Sequence, residues 1–169
     1  MTTLILTVAG VDRPGLVAAV ADAVDAHGGN WENSSLAELA GTFAGVIENS
    51  VAADRVGELQ AALRALTGLL TVTIHTGSDA AAPAEANSIS PSVLGNDRAG
   101  IVHEISGVLA AHALSITSMT TETRDAAMAG GRLFESTVTA KVPASADLDA
   151  LRADLETLAA EIQVDVSLD

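Results

Sequence analysis

Near the start of the chain Leu4, Leu6 and Val8 alternate with Thr3, Ile5 and Thr7, the two-residue period of a strand with one face turned inward. A turn from Gly10 to Arg13 follows, and then Leu16, Val17, Val20 and Val24 recur at helical spacing until Gly28 and Gly29 end the run. Pro14 suits the first helical position, where its missing N–H is harmless. "NWENSSLAEL" and "TFAGVIENSV" are extended runs separated by Ala40 and Gly41, which reads as a hairpin. Asp54 to Leu66 puts Leu59, Leu63 and Leu66 on one helical face, and Leu69 to Thr76, "LLTVTIHT", makes a last strand. The pattern predicts a βαββαβ unit.

The chain then writes the unit again. Val8, Gly10, Asp12, Arg13 and Gly15 meet Val93, Gly95, Asp97, Arg98 and Gly100 at an offset of 85 positions. Leu16, Val17, Val20 and Val24 meet Ile101, Val102, Ile105 and Leu109, and His27 meets His112. Such self-similarity marks a duplication. The second copy continues with "ITSMTTETRD", a longer connector "AAMAGG", "RLFESTVTAKV", a helix from about Ala146 to Ala160, and "IQVDVSL". Residues 1–76 and 88–169 are read as two units, and 77–87, including "GSDAAAPAEA", as a flexible linker.

Each unit has the length and order of a ferredoxin-like module, an α+β fold in which an antiparallel four-stranded sheet carries two helices on one face. Pro91 falls where Leu6 falls in the first copy, and proline cannot donate to a ladder, so the second copy's first strand is expected to begin after Pro91 or to carry a bulge. "LILTV" and "LLTVTI" are apolar enough for both sheet faces to be buried, which predicts pairing between units or between chains.

Composition narrows the function. The 169 residues include only three aromatics, Trp31, Phe43 and Phe134, so the cores are aliphatic and no aromatic-lined pocket is implied. A formal charge of -14, with Lys141 the only lysine, repels phosphate backbones and anionic lipid surfaces, which argues against direct nucleic-acid or membrane binding. The absence of cysteine removes disulfides, thiolate metal sites and cysteine nucleophiles. "MTTLILTVAG" lacks the basic segment of a secretion signal and is too short to span a bilayer, so a cytoplasmic location is the expectation.

The strand, the G-x-D-R-x-G turn, the amphipathic helix ending near "HGGN" and the βαββαβ order together resemble the ACT domain. Two such units in one chain, with "DRPGLV" followed by "GGNWENSSLAELAGTFAGVI", are similar to the family of the glycine cleavage system transcriptional repressor. The resemblance implies a non-enzymatic regulatory protein that binds an amino acid, glycine or serine among the options, at a domain interface. It also implies a protein partner; the uncovered sheet edges and faces add assembly as a homodimer to the expectations, and no cofactor is expected.

The turn has chemistry of its own. Gly15 and Gly100 remove side chains where a helix begins, so free N–H groups and the positive end of the helix dipole can face a ligand carboxylate. Asp12 or Asp97 could accept a ligand ammonium, although each could instead cap the helix. The candidate ligand-binding residues are thus Asp12, Arg13, Pro14 and Gly15 in the first turn and Asp97, Arg98 and Gly100 in the second. Arg13 and Arg98 also read as solvated turn residues or ion-pair partners. By the resemblance, a polar residue at the start of the second strand contributes as well, which is Asn30, with Asn33 on the same strand. The second copy has Ser115 and Ser118 there, with a shorter side chain and fewer donors, which favours the first copy as the binding one.

His27 and His112 fall at helix C-termini, where a donor suits unsatisfied carbonyls, and His75 and His103 lack a metal-ligand spacing. No G-x-S-x-G, P-loop or dinucleotide fingerprint is present. Two other readings stay open: an interaction module that binds no small molecule, and a detached regulatory subunit of an amino-acid biosynthetic enzyme, such as the small subunit of acetolactate synthase. A relic of the ACT segment of formyltetrahydrofolate deformylase belongs with the second, but the first of these subunits usually reads N-x-P-G where this chain has "DRPG".

Overall fold

The computed structural model describes residues 1–77, 87–126, 130–162 and 164–167. The chain divides into two compact units, Met1–Ala81 and Ala82–Asp169. The first runs β1 (Thr2–Val11), α1 (Leu16–Ala26), β2 (Asn30–Leu39), β3 (Thr42–Val51), α2 (Val56–Arg64) and β4 (Thr71–Thr76), with a 3-10 turn at Ala53–Arg55 leading into α2. The second runs β5 (Asn87–Ile89), β6 (Ser92–Asn96), α3 (Ile101–Ala111), β7 (Ser115–Asp125), β8 (Arg132–Val142), α4 (Leu148–Ile162) and β9 (Val164–Ser167). The sheets are antiparallel, in the order β2-β3-β1-β4 in the first unit; in the second, β8 lies between β7 and the β5–β6 line, and β9 pairs with β6. Both are ferredoxin-like α+β units.

The expected linker begins at Gly77, whose amide donates to Thr3 O at 2.8 Å; its span from 78 to 86 lies outside the described residues, as do positions 127–129 of the longer connector. Proline divides the first strand of the second unit without displacing it. β5 pairs Ile89 with Ala140, β6 pairs Ser92 with Thr137 in the same register, and Val138 N–H donates to Pro91 O at 2.9 Å between them. The strand therefore starts before Pro91 as well as resuming after it, and the register carries no bulge.

Each core is mainly aliphatic. In the first unit Leu4, Leu6 and Val8 of β1 meet Leu16, Val20 and Val24 of α1 and Leu59 and Leu63 of α2. In the second, Val93 meets Ile101, Ile105 and Leu109 of α3 and Leu151 and Leu155 of α4, with Phe134 and Val138 from β8. The α1 and α3 positions recur at the offset seen in the sequence. The opposite sheet face is more polar than the strand sequences suggest, because every second residue of a strand turns away from the helices. Its rows read Thr7, Val46, Ser35 and Ile5, Glu48, Asn33 in the first unit, and Ser92, Thr137, Thr120 in the second.

Two buried positions are polar among the described residues, Asn49 in the first unit and Ser136 in the second. Asn49, 1% exposed, points from β3 toward the helices, and neither its Nδ2 nor its Oδ1 has a hydrogen-bond partner. Asn49 lies opposite Leu4, and the equivalent pair in the second unit is Ala140 opposite Ile89, so the fold accepts an apolar residue there. A buried unpaired amide costs about 1–3 kcal/mol. Asn49→Val is expected to raise unit 1 stability by about 1 kcal/mol, read as a higher denaturation midpoint by Trp31 fluorescence. Trp31 is the only tryptophan and packs against that core, so its signal reports the first unit alone.

Candidate functional site

The two G-x-D-R-x-G turns share a backbone. Gly15 (φ 92°) and Gly100 (φ 96°) are the N-caps of α1 and α3 in the left-handed region, where a Cβ is penalised. That conformation overturns the placement of Pro14 at the first helical position: helical geometry begins only at Leu16, after the left-handed glycine, so Pro14 stands in the turn before the cap. Neither helix has a side-chain cap, so Asp12 and Asp97 do not serve as one. Their backbone amides anchor the turns to the neighbouring hairpin instead, Asp12 N–H to Gly41 O at 2.9 Å and Asp97 N–H to Arg132 O at 2.8 Å.

The turns differ in what surrounds them. A Cβ built on Gly15 meets nothing within 4 Å, and Asp12 through Gly15 are all exposed. Arg13 turns aside, with Nη2 donating to Gly68 O at 2.6 Å in the loop after α2. A shallow cavity of about 170 Å³ lies beside that loop, lined by Ala9, Gly10, Gly68, Leu69, Leu70 and Thr71. At the second turn Arg98 pairs with Glu104 and its Nη1 donates to Ala99 O at 2.9 Å. Asp97 also lies 4.0 Å from Arg132. The first turn thus leaves clear the point where a Gly15 side chain would stand, at the start of an 11-residue helix with no side-chain cap and no acidic side chain in its first turn.

The strand-start candidates lie elsewhere in the unit. Gly10 pairs with Phe43, whereas Asn30 pairs with Ser50. Seven residues of β3 separate those partners, about 23 Å of strand. One unit therefore cannot hold one amino acid against both its turn and its own Asn30. The same separation holds between Gly95, which pairs with Phe134, and Ser115, which pairs with Lys141.

At the strand start the amides already have partners. Asn30 Nδ2 donates to Glu32 Oε1 at 2.9 Å, and Ser50 Oγ donates to the same oxygen at 2.5 Å. Beyond an irregularity between Trp31 and Asn33, Asn33 Nδ2 donates to Glu48 Oε2 at 2.8 Å. Asn33 and Glu48 line an open hollow of about 260 Å³ on the sheet face with Ile5, Ser34, Ser35 and Val46. Glu32, Glu48 and Ser50 belong to this end of the sheet and were not among the expected residues; the cross-strand register that joins them is the signal, and it needs β2 and β3 aligned.

The Ser50 hydroxyl, and after it the Asn30 amide, hold the Glu32 carboxyl below its ordinary value of 4.5. A lowered carboxylate contributes stability that is full above the ordinary value and is lost as the pH falls through the folded one. Ser50→Ala is expected to move the Glu32 titration midpoint upward toward 4.5, read by NMR of its side-chain carboxyl carbon. An unchanged midpoint contradicts the assigned cause.

Two of the four histidines, His27 and His112, sit at helix C-termini. His27 Nδ1 donates to Ala23 O at 2.8 Å in the last turn of α1, and His112 Nε2 lies 2.7 Å from Asp154 Oδ2 on α4. Among the described residues no cluster of three or more His, Asp or Glu could hold a metal ion, and no helix is long and apolar enough to cross a membrane.

Comparison with known proteins matches residues 2–77 to one ACT-domain model and residues 92–156 to another. No curated protein sequence matches the chain. Among solved structures, an unknown protein from Galdieria sulphuraria superposes with a TM-score of 0.89 at 28% identity, over 99% of this chain and 97% of that one. A protein carrying the provisional name glycine cleavage system transcriptional repressor superposes with a TM-score of 0.71 at 20% identity, over 99% of this chain and 96% of that one, a likeness of fold. With each matched segment lying in a βαββαβ unit that holds the same glycine-capped turn, the chain belongs to the ACT-domain family and carries two ACT domains in tandem.

Proposed function

We propose that the protein is an amino-acid sensor in amino-acid metabolism, with glycine as the first ligand to test, that acts by changing its association with a protein partner. The observation that carries the reading is the first turn: a left-handed Gly15 with open space before it, no side-chain cap, and an 11-residue helix behind. Amides at a helix N-terminus are suited to a carboxylate, and the exposed Asp12 carboxylate is suited to an ammonium group. Because Asn30 is about 23 Å of strand away, its contribution would come from a second copy of the chain, in a homodimer that covers the sheet edges. Reciprocity then requires the partner and the amino acid to change each other's affinity equally.

The test is a thermal-shift panel of the twenty amino acids at millimolar concentration on wild type, Asp12→Ala and Asp97→Ala. A ligand of the folded state stabilises it by about 2.7 kcal/mol at one hundred times Kd. Glycine or serine is expected to raise Tm in the wild type and in Asp97→Ala, and not in Asp12→Ala. No shift with any amino acid leaves the interaction module that works without a small molecule.

A further inference from the structure

We infer that the hollow on the outer face of the first sheet seats a basic side chain, arginine or lysine, carried by the protein partner. The inference rests on the proposed association with that partner and gives it a chemistry, whichever amino acid the first turn binds. Two outward rows of the sheet supply the residues: Ile5, Glu48 and Asn33 in one, Val46 and Ser35 in the next. Glu48 stands opposite Ile5, and Val46 is one outward position along the same strand, about 7 Å away. One carboxylate thus lies beside two aliphatic side chains. Asn33 Nδ2 fixes one of its oxygens at 2.8 Å, and among the described residues no arginine, lysine or histidine pairs with it. His75 shares the row but stands beyond Ile5, two strands from Glu48, about 10 Å.

An oriented carboxylate over an aliphatic floor suits a long basic side chain, whose methylene stem covers apolar surface while its charged head meets the anion. The duplication shows that the fold does not require this arrangement. The equivalent positions of the second unit are Ser90, Thr139, Ser118, Thr137 and Thr120, five hydroxyl side chains with no charge among them. The occupant follows from charge and shape. A formal charge of -14 draws cationic partners toward the molecule. The hollow, about 260 Å³ and open along the sheet, leaves a free amine largely in water, whereas sites for small ligands surround them. A side chain presented by a larger molecule brings its own surroundings, and Val46, 46% exposed, with the exposed Thr7 and Ser35 offers uncharged surface for the rest of a peptide.

The test is an amide NMR titration of the full-length protein with a capped peptide carrying one central arginine among alanines and serines, its citrulline counterpart, and free arginine. The amides of Ser35, Val46 and Glu48 are expected to shift and saturate with the arginine peptide and to stay in place with the citrulline peptide, which keeps the shape and lacks the charge. Glu48→Gln, which retains an oxygen for Asn33 Nδ2, is expected to weaken the peptide about tenfold at an unchanged Trp31 denaturation midpoint. Asp22→Asn, an equal change of charge on α1, is expected to bind as wild type does. Shifts that scatter over the acidic surface, that the citrulline peptide reproduces or that survive Glu48→Gln overturn the inference, and so does the absence of any shift. Free arginine that saturates the same amides as tightly as the peptide overturns the assignment to a protein partner. Each of these failures leaves amino-acid binding at the first turn to its own thermal-shift panel, and peptide binding at the hollow stands where that panel shows no response.

Discussion

Leu6→Ala is expected to destabilise the first unit by about 3–5 kcal/mol, the range for truncating a fully buried leucine. Leu6 is fully buried on β1, between Ile47 of β3 and Ile74 of β4, and its side chain faces α1 and α2. The neighbour across the pleat, Thr7, is exposed, so Thr7→Ala is expected to fall within about 0.5 kcal/mol of wild type. Trp31 fluorescence during denaturation separates the two outcomes, since two tandem units can unfold independently and Trp31 follows only the first. Equal midpoints for Leu6→Ala and Thr7→Ala would contradict the assigned faces of the sheet.

The second large effect is expected at Gly45. A Cβ there would stand 2.2 Å from Ser35 O and 2.8 Å from Leu36 Cα, both backbone atoms of β2. Gly45→Ala must therefore push β2 away from β3, and the expected loss is about 3 kcal/mol. The second unit supplies the control. Ser136 occupies the equivalent register, opposite Val93 as Gly45 is opposite Val8, and its Oγ is buried without a hydrogen-bond partner. Ser136→Ala is expected to leave the melting temperature unchanged or raise it slightly, measured by circular dichroism, while Gly45→Ala lowers the Trp31 midpoint.

Those two positions mark what the sequence could and could not reveal. Leu6 was legible because a strand against helices alternates with period two, and the duplicated spacing of Leu16, Val20 and Val24 with Ile101, Ile105 and Leu109 confirmed the helical faces. Gly45 was opaque: inside "TFAGVIENSV" it reads as a weak strand residue, and only the approach of Ser35 shows what a side chain would strike. Asn49 was opaque for a related reason, since its burial depends on register rather than on its own polarity.

The candidate site divides along the same line. The turn motif and its glycine were readable because a left-handed cap demands glycine, and that demand recurs in both copies. Sequence spacing could not show that Asn30 lies at the far end of the sheet from Asp12, which follows from strand direction. Nor could it show that Arg98 and Glu104, six positions apart, would close over the second turn while Arg13 left the first one clear.

The central claim is that amino acids bind at the first turn, and amide NMR tests it most directly. On titrating the full-length protein with glycine, the N–H resonances of Gly15, Leu16 and Val17 are expected to shift and saturate, while those of Gly100, Ile101 and Val102 stay in place. Saturating binding that leaves the Gly15 to Val17 resonances unmoved would contradict the account.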